Sequence, residues 1–283
     1  MSTIHRHGGE EVTPKMHVDG FLERGEYKES HRYSSQRLGA ATICCLSFSE
    51  AVDTICELAA GKTRGNLVTT PNIQHIVELE RNAEFREAYS KASLVLPDGW
   101  PVVTAIRLLG TRCAERVPGS DLLPAVSAEA ANRGLTVGFM GGLPNAASEA
   151  AAELATKYPK LQVAVTHEAP PGFDRTPDST RAVINAVAMA APDILFLGFG
   201  APRQEIFALH HLDQLGARVI MCVGAAIDFT AGARPRAPEA IRKLGLEWLF
   251  RVLIEPKRLG PRYAKAAPRF AWIVLRQLGA KWT

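Results

Sequence analysis

Cysteine is scarce and unpatterned in this 283-residue chain. The five thiols, at positions 44, 45, 56, 113 and 222, form neither a Cys-x-x-Cys pair nor an even set. That argues against a disulfide framework. Cys44-Cys45 and Cys222 fall in apolar, strand-like runs and read as buried free thiols of a protein in a reducing cytosol. Long apolar runs are missing too. The longest one near the C-terminus, residues 270–275 (FAWIVL), is too short to span a bilayer. The opening MSTIHRHGGEEV has no apolar stretch of the kind a secretory signal needs.

What is present suits a protein with a sizeable core: 47% of residues are hydrophobic and 22% charged. The length allows one large domain or two small ones. The net charge of +4 conceals an asymmetry. Residues 234–283 hold twelve Lys/Arg against three Asp/Glu, a surplus of +9, which leaves −5 for the preceding residues. A basic tail on an acidic body points to an anionic partner surface, either lipid headgroups or nucleic acid. Residues 1–38 are polar, aperiodic and hold four of the eight histidines; they read as largely disordered. A metal site from His5, His7, His17 and His31 has no recurrent ligand spacing behind it.

From Ala40 onward, strand-like runs alternate with helical patterns. The strands are ATICCL (41–46), NLVTT (66–70), SLVL (93–96), TVGFM (136–140), QVAVTH (162–167), DILFLG (193–198) and RVIMCV (218–223). Helix starts are marked by the Ser47–Glu50 capping box and by Asn72, Asp121 and Asn145; Gly61 and Gly134 mark ends. This alternation implies βαβ units and a parallel sheet covered on both faces. Such sheets bind ligands outside the carboxyl ends of their strands, so the strand-to-helix junctions carry the functional information.

Those junctions are TTPN (69–72), LPDGWP (96–101), GFMGGLPN (138–145), GFGAPRQE (198–205) and GAAIDF (224–229), with ERVPGSDL (115–122) opening a further helix. Small residues such as Gly198 and Gly200 let backbone amides approach an anion, and the helix N-termini that follow favour phosphate. GFGAPRQE begins like a dinucleotide fingerprint, but Gln204 and Glu205 follow where a third glycine would stand. An NAD-dependent dehydrogenase would need that glycine and an acid closing the second strand, and the chain shows neither. Asp98 ends a buried strand; by position alone it caps a helix, stabilises a turn or faces a substrate.

In order and spacing, TTPN, LPDGW, ERVPGSDL, LGFGAPRQE, VGAAIDFTAG and RAPEAIRKLGLEWLFRVLIEPKRLGPRY resemble the WecG/TagA/CpsF glycosyltransferases, glycosyltransferase family 26. The likeness runs from about Ala40 to Arg276. It implies a Rossmann-like α/β core over residues 39–233 and a basic, amphipathic helical appendage over 234–283. It implies inverting transfer of a sugar from a UDP-sugar to a polyprenyl-diphosphate-linked sugar, for cell-surface or exopolysaccharide synthesis. The resemblance makes Asp98 the catalytic base and places Thr70, Asn72, Arg116 and Gln204 at the acceptor. The chain departs from the pattern at Pro118, where threonine is frequent, at Ile227, where phenylalanine is expected, and at Pro261, which interrupts the basic run.

A carboxylate on the acceptor side can take the proton lost by an attacking hydroxyl, and free aspartate, with a pKa of about 3.9, is ionised at neutral pH. The departing UDP needs its charge stabilised. No Asp-x-Asp pair for a metal occurs, so neither metal nor cofactor is expected. Arginine with helix amides is the alternative, from Arg116 in the core and Arg251, Arg258 and Arg262 in the tail. Asp228 is the expected nucleotide-side contact. The apolar stretches LEWLFRVLI and FAWIVL, interleaved with Lys/Arg, suit an amphipathic segment on an anionic membrane, with Trp272 and Ile273 entering the interface. The protein is therefore expected to be cytoplasmic and peripheral on the inner face of the bacterial membrane. No nucleic-acid recognition motif accompanies the charge; a homo-oligomer is compatible with the reading. The competing non-catalytic reading is a nucleotide-sensing or RNA-binding module, whose function would survive loss of Asp98.

Overall fold

Buried β-type runs and amphipathic alanine-rich helices assemble as the alternation predicts. The computed structural model describes residues 33–280 except 112–114 and 171, and leaves out the side chain of Lys243. The four N-terminal histidines, His5, His7, His17 and His31, and Cys113 lie outside the described residues. The strands are β1 (Ser35–Leu38), β2 (Ala41–Cys44), β3 (Asn66–Thr69), β4 (Leu94–Val95), β5 (Thr136–Gly141), β6 (Gln162–His167), β7 (Ile194–Gly198) and β8 (Val219–Cys222). The helices are α1 (Phe48–Ala60), α2 (Ile73–Leu79), α3 (Ala83–Lys91), α4 (Trp100–Leu108), α5 (Gly119–Arg133), α6 (Ala146–Lys157), α7 (Pro177–Ala190), α8 (Arg203–His211), α9 (Ala226–Thr230), α10 (Glu239–Lys243), α11 (Glu247–Ile254) and α12 (Pro256–Gly279).

Six strands form one sheet, in the order β4-β3-β8-β7-β5-β6, and every pairing in it is parallel. The fold is Rossmann-like. Central β3, β7 and β8 are buried throughout, whereas β6 at one edge alternates exposed and half-buried residues. Strand period two sends Ile194 and Phe196 to one face, packed with Ile55, Leu122 and Ala147 of α1, α5 and α6. Leu195 and Leu197 go to the other, with Ala88, Val183 and Phe207 of α3, α7 and α8. Phe139 stacks on Phe196 at 5.3 Å between centroids, tying β5 to β7 inside the first face.

Several local expectations need correction. ATICCL is a strand, but it leaves the parallel sheet to pair antiparallel with β1. Order therefore reaches back past the boundary expected at residue 38, because Ser35–Leu38 form the other half of that hairpin. Ser47 makes its capping box and Asn72 caps α2. Asp121 does not cap α5; that helix starts two residues earlier, after Pro118, leaving Asp121 in its first turn. Asn145 occupies the N-cap of α6 in a left-handed conformation, φ 67°, and makes no side-chain cap.

The basic C-terminal segment is built into the fold. Ala266, Phe270, Ile273 and Val274 of α12 join a third core cluster with Leu38, Ile43, Ile76 and Ile106. Gln277 then clamps the hairpin, accepting from Gly39 N at 3.0 Å and donating to Arg37 O at 2.7 Å. Ile273, expected to enter a lipid interface, is thus a core residue, 4% exposed, whereas Trp272 is 65% exposed. Among the described residues no helix is long and apolar enough to cross a membrane. Cys56 and Cys222 are buried free thiols, and burial pushes Cys56 up to about 12, so neither offers a thiolate.

Candidate active site

The carboxyl ends of β3, β4, β5, β7 and β8 open into one cavity of about 830 Å³, roofed by α11 and α12. Thr70, Asn72, Asp98, Gly198, Gly200, Gln204, Asp228, Arg251, Arg258 and Arg262 all line it. Of the candidate catalytic and substrate-binding residues named from the sequence, Arg116 alone does not.

The loop bearing Asp98 is pinned on both sides. Asp98 N donates to Pro71 O at 3.0 Å, and Val117 N donates to Pro97 O at 2.8 Å. The next residue, Gly99, adopts φ 98°, a conformation side chains rarely tolerate, and forms the N-cap of α4 with no side-chain cap bond. This removes the helix-cap alternative for Asp98. Burial pushes its carboxyl up to about 6; Arg116 and Arg251 pull it down, while Glu247 and Asp121 add to the rise. A base in that range is better matched to neutral pH than free aspartate.

Arg116 is committed elsewhere, to Asp121 at 3.3 Å and Glu247 at 3.6 Å. Arg236 bridges the same two acids and Arg242 adds a contact to Asp121. This cluster latches the start of α11 to the start of α5. On Asp98, Arg116 acts through its charge, which lowers the carboxyl.

Gln204 is 1% exposed and its amide is used internally: Oε1 accepts from Gly200 N at 3.0 Å, and Nε2 donates to Glu205 Oε1 at 2.9 Å. It braces the Gly200 turn, where φ is 86° and the space a Cβ would enter is open. Glu205, noted in the sequence only as a break in the glycine fingerprint, is fully buried, and burial raises its carboxyl to about 7. Asp228, 5% exposed, accepts from Leu143 N at 2.8 Å and pairs with Arg234 at 2.9 Å. Arg234 also pairs with Glu255 at 2.6 Å, and Glu255 with Arg258. A chain of alternating charge thus runs from α9 to the start of α12. Arg251 lies over the Phe229 ring at 5.4 Å. Thr70 is 7% exposed, and Asn72 Oδ1 accepts from Gln74 N at 2.9 Å while the residue still faces the cavity.

Gly198 has a packing reason as well as a place at the cavity. A Cβ there would sit 2.7 Å from Ile227 Cδ1 and 2.9 Å from Gly224 O. Ile227, the departure from phenylalanine, is fully buried against this glycine. Gly198→Ala should therefore cost about 1–3 kcal/mol, read as a lower urea midpoint at unchanged slope.

Sequence reasoning passed over His75, Arg81, Glu168, Arg234, Lys265 and Arg269, which also line the cavity. His75 shares a 2.8 Å hydrogen bond between Nδ1 and Tyr89 Oη, and burial together with Arg262 lowers it to about 4, so it is neutral. Nothing in IQHIVELE distinguishes it from a core-helix histidine.

A model of the glycosyl transferase WecG/TagA/CpsF family matches residues 36–282. The chain belongs to that family. Its relatives include two proteins named N-acetylglucosaminyldiphosphoundecaprenol N-acetyl-beta-D-mannosaminyltransferase. One, from Staphylococcus aureus strain MRSA252, is 31% identical over 229 residues, covering 80% of this chain and 87% of the relative. The other, from strain NCTC 8325 / PS 47, is 30% identical over 228 residues with the same coverage. Membership of the WecG/TagA/CpsF family makes the chain a glycosyltransferase.

Proposed function

We propose that the protein is an inverting glycosyltransferase that moves a sugar from a UDP-sugar to a polyprenyl-diphosphate-linked sugar, in the synthesis of a cell-surface polysaccharide. The observation that carries this is a carboxylate poised near neutrality, Asp98, on the floor of a cavity whose roof supplies Arg251, Arg258 and Arg262. The acceptor hydroxyl oxygen attacks the anomeric carbon as its proton passes to Asp98. The bond from that carbon to the UDP oxygen breaks, and UDP leaves with the electron pair. The developing charge on the diphosphate is met by Arg251 and Arg258. Asp228 and the Gly198–Gly200 turn serve the nucleotide side; Thr70 and Asn72, beside Asp98, serve the acceptor.

The names of the relatives make N-acetylmannosamine the first donor to try and N-acetylglucosamine diphosphate lipid the first acceptor. Membrane attachment has a concrete surface: Leu244, Leu246, Trp248, Leu249, Leu253 and Ile254 are all exposed on α10 and α11 and the turns joining them. The test is transfer from a panel of UDP-sugars (N-acetylmannosamine, its uronic acid, glucose) to a prenyl-diphosphate acceptor, with and without EDTA. One donor should be used, at a rate unchanged by EDTA. Transfer abolished by EDTA and restored by Mg²⁺ would overturn the arginine account, and no transfer from any donor would overturn the activity.

A further inference from the structure

The roof of the cavity carries more positive charge than one diphosphate uses, and it is arranged as a stripe. Arg258, Arg262, Lys265 and Arg269 follow one another on α12 at spacings of four, three and four, and all four line the cavity. That spacing keeps them on one helical face over eleven residues, about 16 Å of helix. A single diphosphate engages only one end of such a row.

The two ends differ in their company. Arg258 is held by Glu255 in the charge chain that starts at Asp228. Among the described residues Arg262, Lys265 and Arg269 make no ion pair within 4 Å. Their neighbours lie on α2, against which α12 packs, and in the turn after it: Arg262 acts electrostatically on His75, and Gln74, His75, Glu78 and Arg81 form the facing wall. Set against Glu78, the cations Arg81, Arg262, Lys265 and Arg269 leave a surplus of three positive charges. The same helix α2 begins at Asn72, two residues after Thr70, and the Pro71 carbonyl anchors Asp98. This arm of the cavity therefore borders the segment that carries Thr70, Asn72 and the anchor of Asp98.

We infer that Lys265 and Arg269, with Arg262 and Arg81, form a second diphosphate subsite that seats the doubly negative diphosphate ester of the acceptor. The inference rests on the proposed function for the acceptor's chemistry. It divides the roof in two: Arg251 and Arg258 take the donor's diphosphate, and the distal half of the stripe takes the acceptor's. An acceptor sugar carried on a diphosphate seated there has its hydroxyl directed inward, toward Asp98.

The experiment compares the full chain with Lys265→Gln/Arg269→Gln, both exposed positions whose replacement leaves the core intact. With a short, water-soluble prenyl-diphosphate-linked N-acetylglucosamine, the acceptor KM should rise about tenfold or more, the scale of losing charge-assisted contacts, while the donor KM stays within about twofold. Binding of geranyl diphosphate, measured by calorimetry with the donor site filled by UDP, should weaken by a similar factor. An unchanged acceptor KM and unchanged geranyl diphosphate affinity would overturn the inference. So would a loss confined to sedimentation with phosphatidylglycerol vesicles, which would make the stripe a membrane contact. If the wild type binds geranyl diphosphate through these residues yet transfers no sugar, the subsite stands and the proposed activity falls.

Discussion

Asp98→Asn is expected to lower turnover by about 10²-fold or more, the usual scale for losing a general base, while making the protein more stable at neutral pH. The two effects have one source. Burial raises the carboxyl from 3.8 to about 6 in the folded chain, so the folded state binds this proton more tightly than the unfolded state does. The group's contribution is then most favourable below pH 3.8, declines as pH rises toward 6, and stays at its least favourable level above that. At pH 7 the ionised carboxylate costs the fold up to about 3 kcal/mol, and a neutral amide of the same shape removes that cost. Thermal melts at pH 7 should show the variant above the wild type, with the gap closing near pH 4. In the wild type, kcat/KM should fall as pH drops through about 6. Turnover within threefold of wild type, or an acid limb that persists in Asp98→Asn, would show that the base is another group.

Arg251→Ala should lower kcat by about 10²-fold, as loss of a donor to developing charge does elsewhere. It should also move the acid limb of the pH profile to higher pH. Arg251 is among the cations holding the Asp98 carboxyl down, so its removal lets burial raise that group further. Arg251→Lys keeps the charge and should restore the position of the limb, though a lysine cannot reproduce the planar guanidinium on the Phe229 ring. A fall in kcat with a stationary limb would place Arg251 on the leaving group but electrostatically remote from the base. A stationary kcat would remove it from the mechanism.

The loops were legible in the sequence because each one advertises itself chemically. A buried strand ending in Pro-Asp-Gly, or a turn of Gly-Phe-Gly, is conspicuous at the carboxyl end of a parallel strand, and the structure brings these junctions to one cavity. The hairpin was not legible. Ser35–Leu38 reads Ser-Gln-Arg-Leu, with no apolar alternation to mark a strand, so the partner of β2 went unseen and β2 looked like part of the main sheet. His75, Arg81, Lys265 and Arg269 were hidden for another reason. They reach the cavity only because α12 folds back on α2 across almost two hundred residues of chain, a closure no local pattern records. Arg116 stood inside a recognisable motif, yet its neighbours Asp121 and Glu247 decide what its guanidinium is free to do.

The packing of α12 has a thermodynamic consequence for the site. Its C-terminal half contributes Phe270, Ile273 and Val274 to the core and holds the β1–β2 turn through Gln277, while its N-terminal half presents the cations. One helix thus serves both the hydrophobic interior and the charged roof, so the backbone under the arginines is already immobilised before any substrate arrives. The conformational entropy of positioning that backbone is lost during folding, driven by apolar burial, and does not weigh against binding. Along α12, what the ligand must still order is chiefly side-chain rotamers.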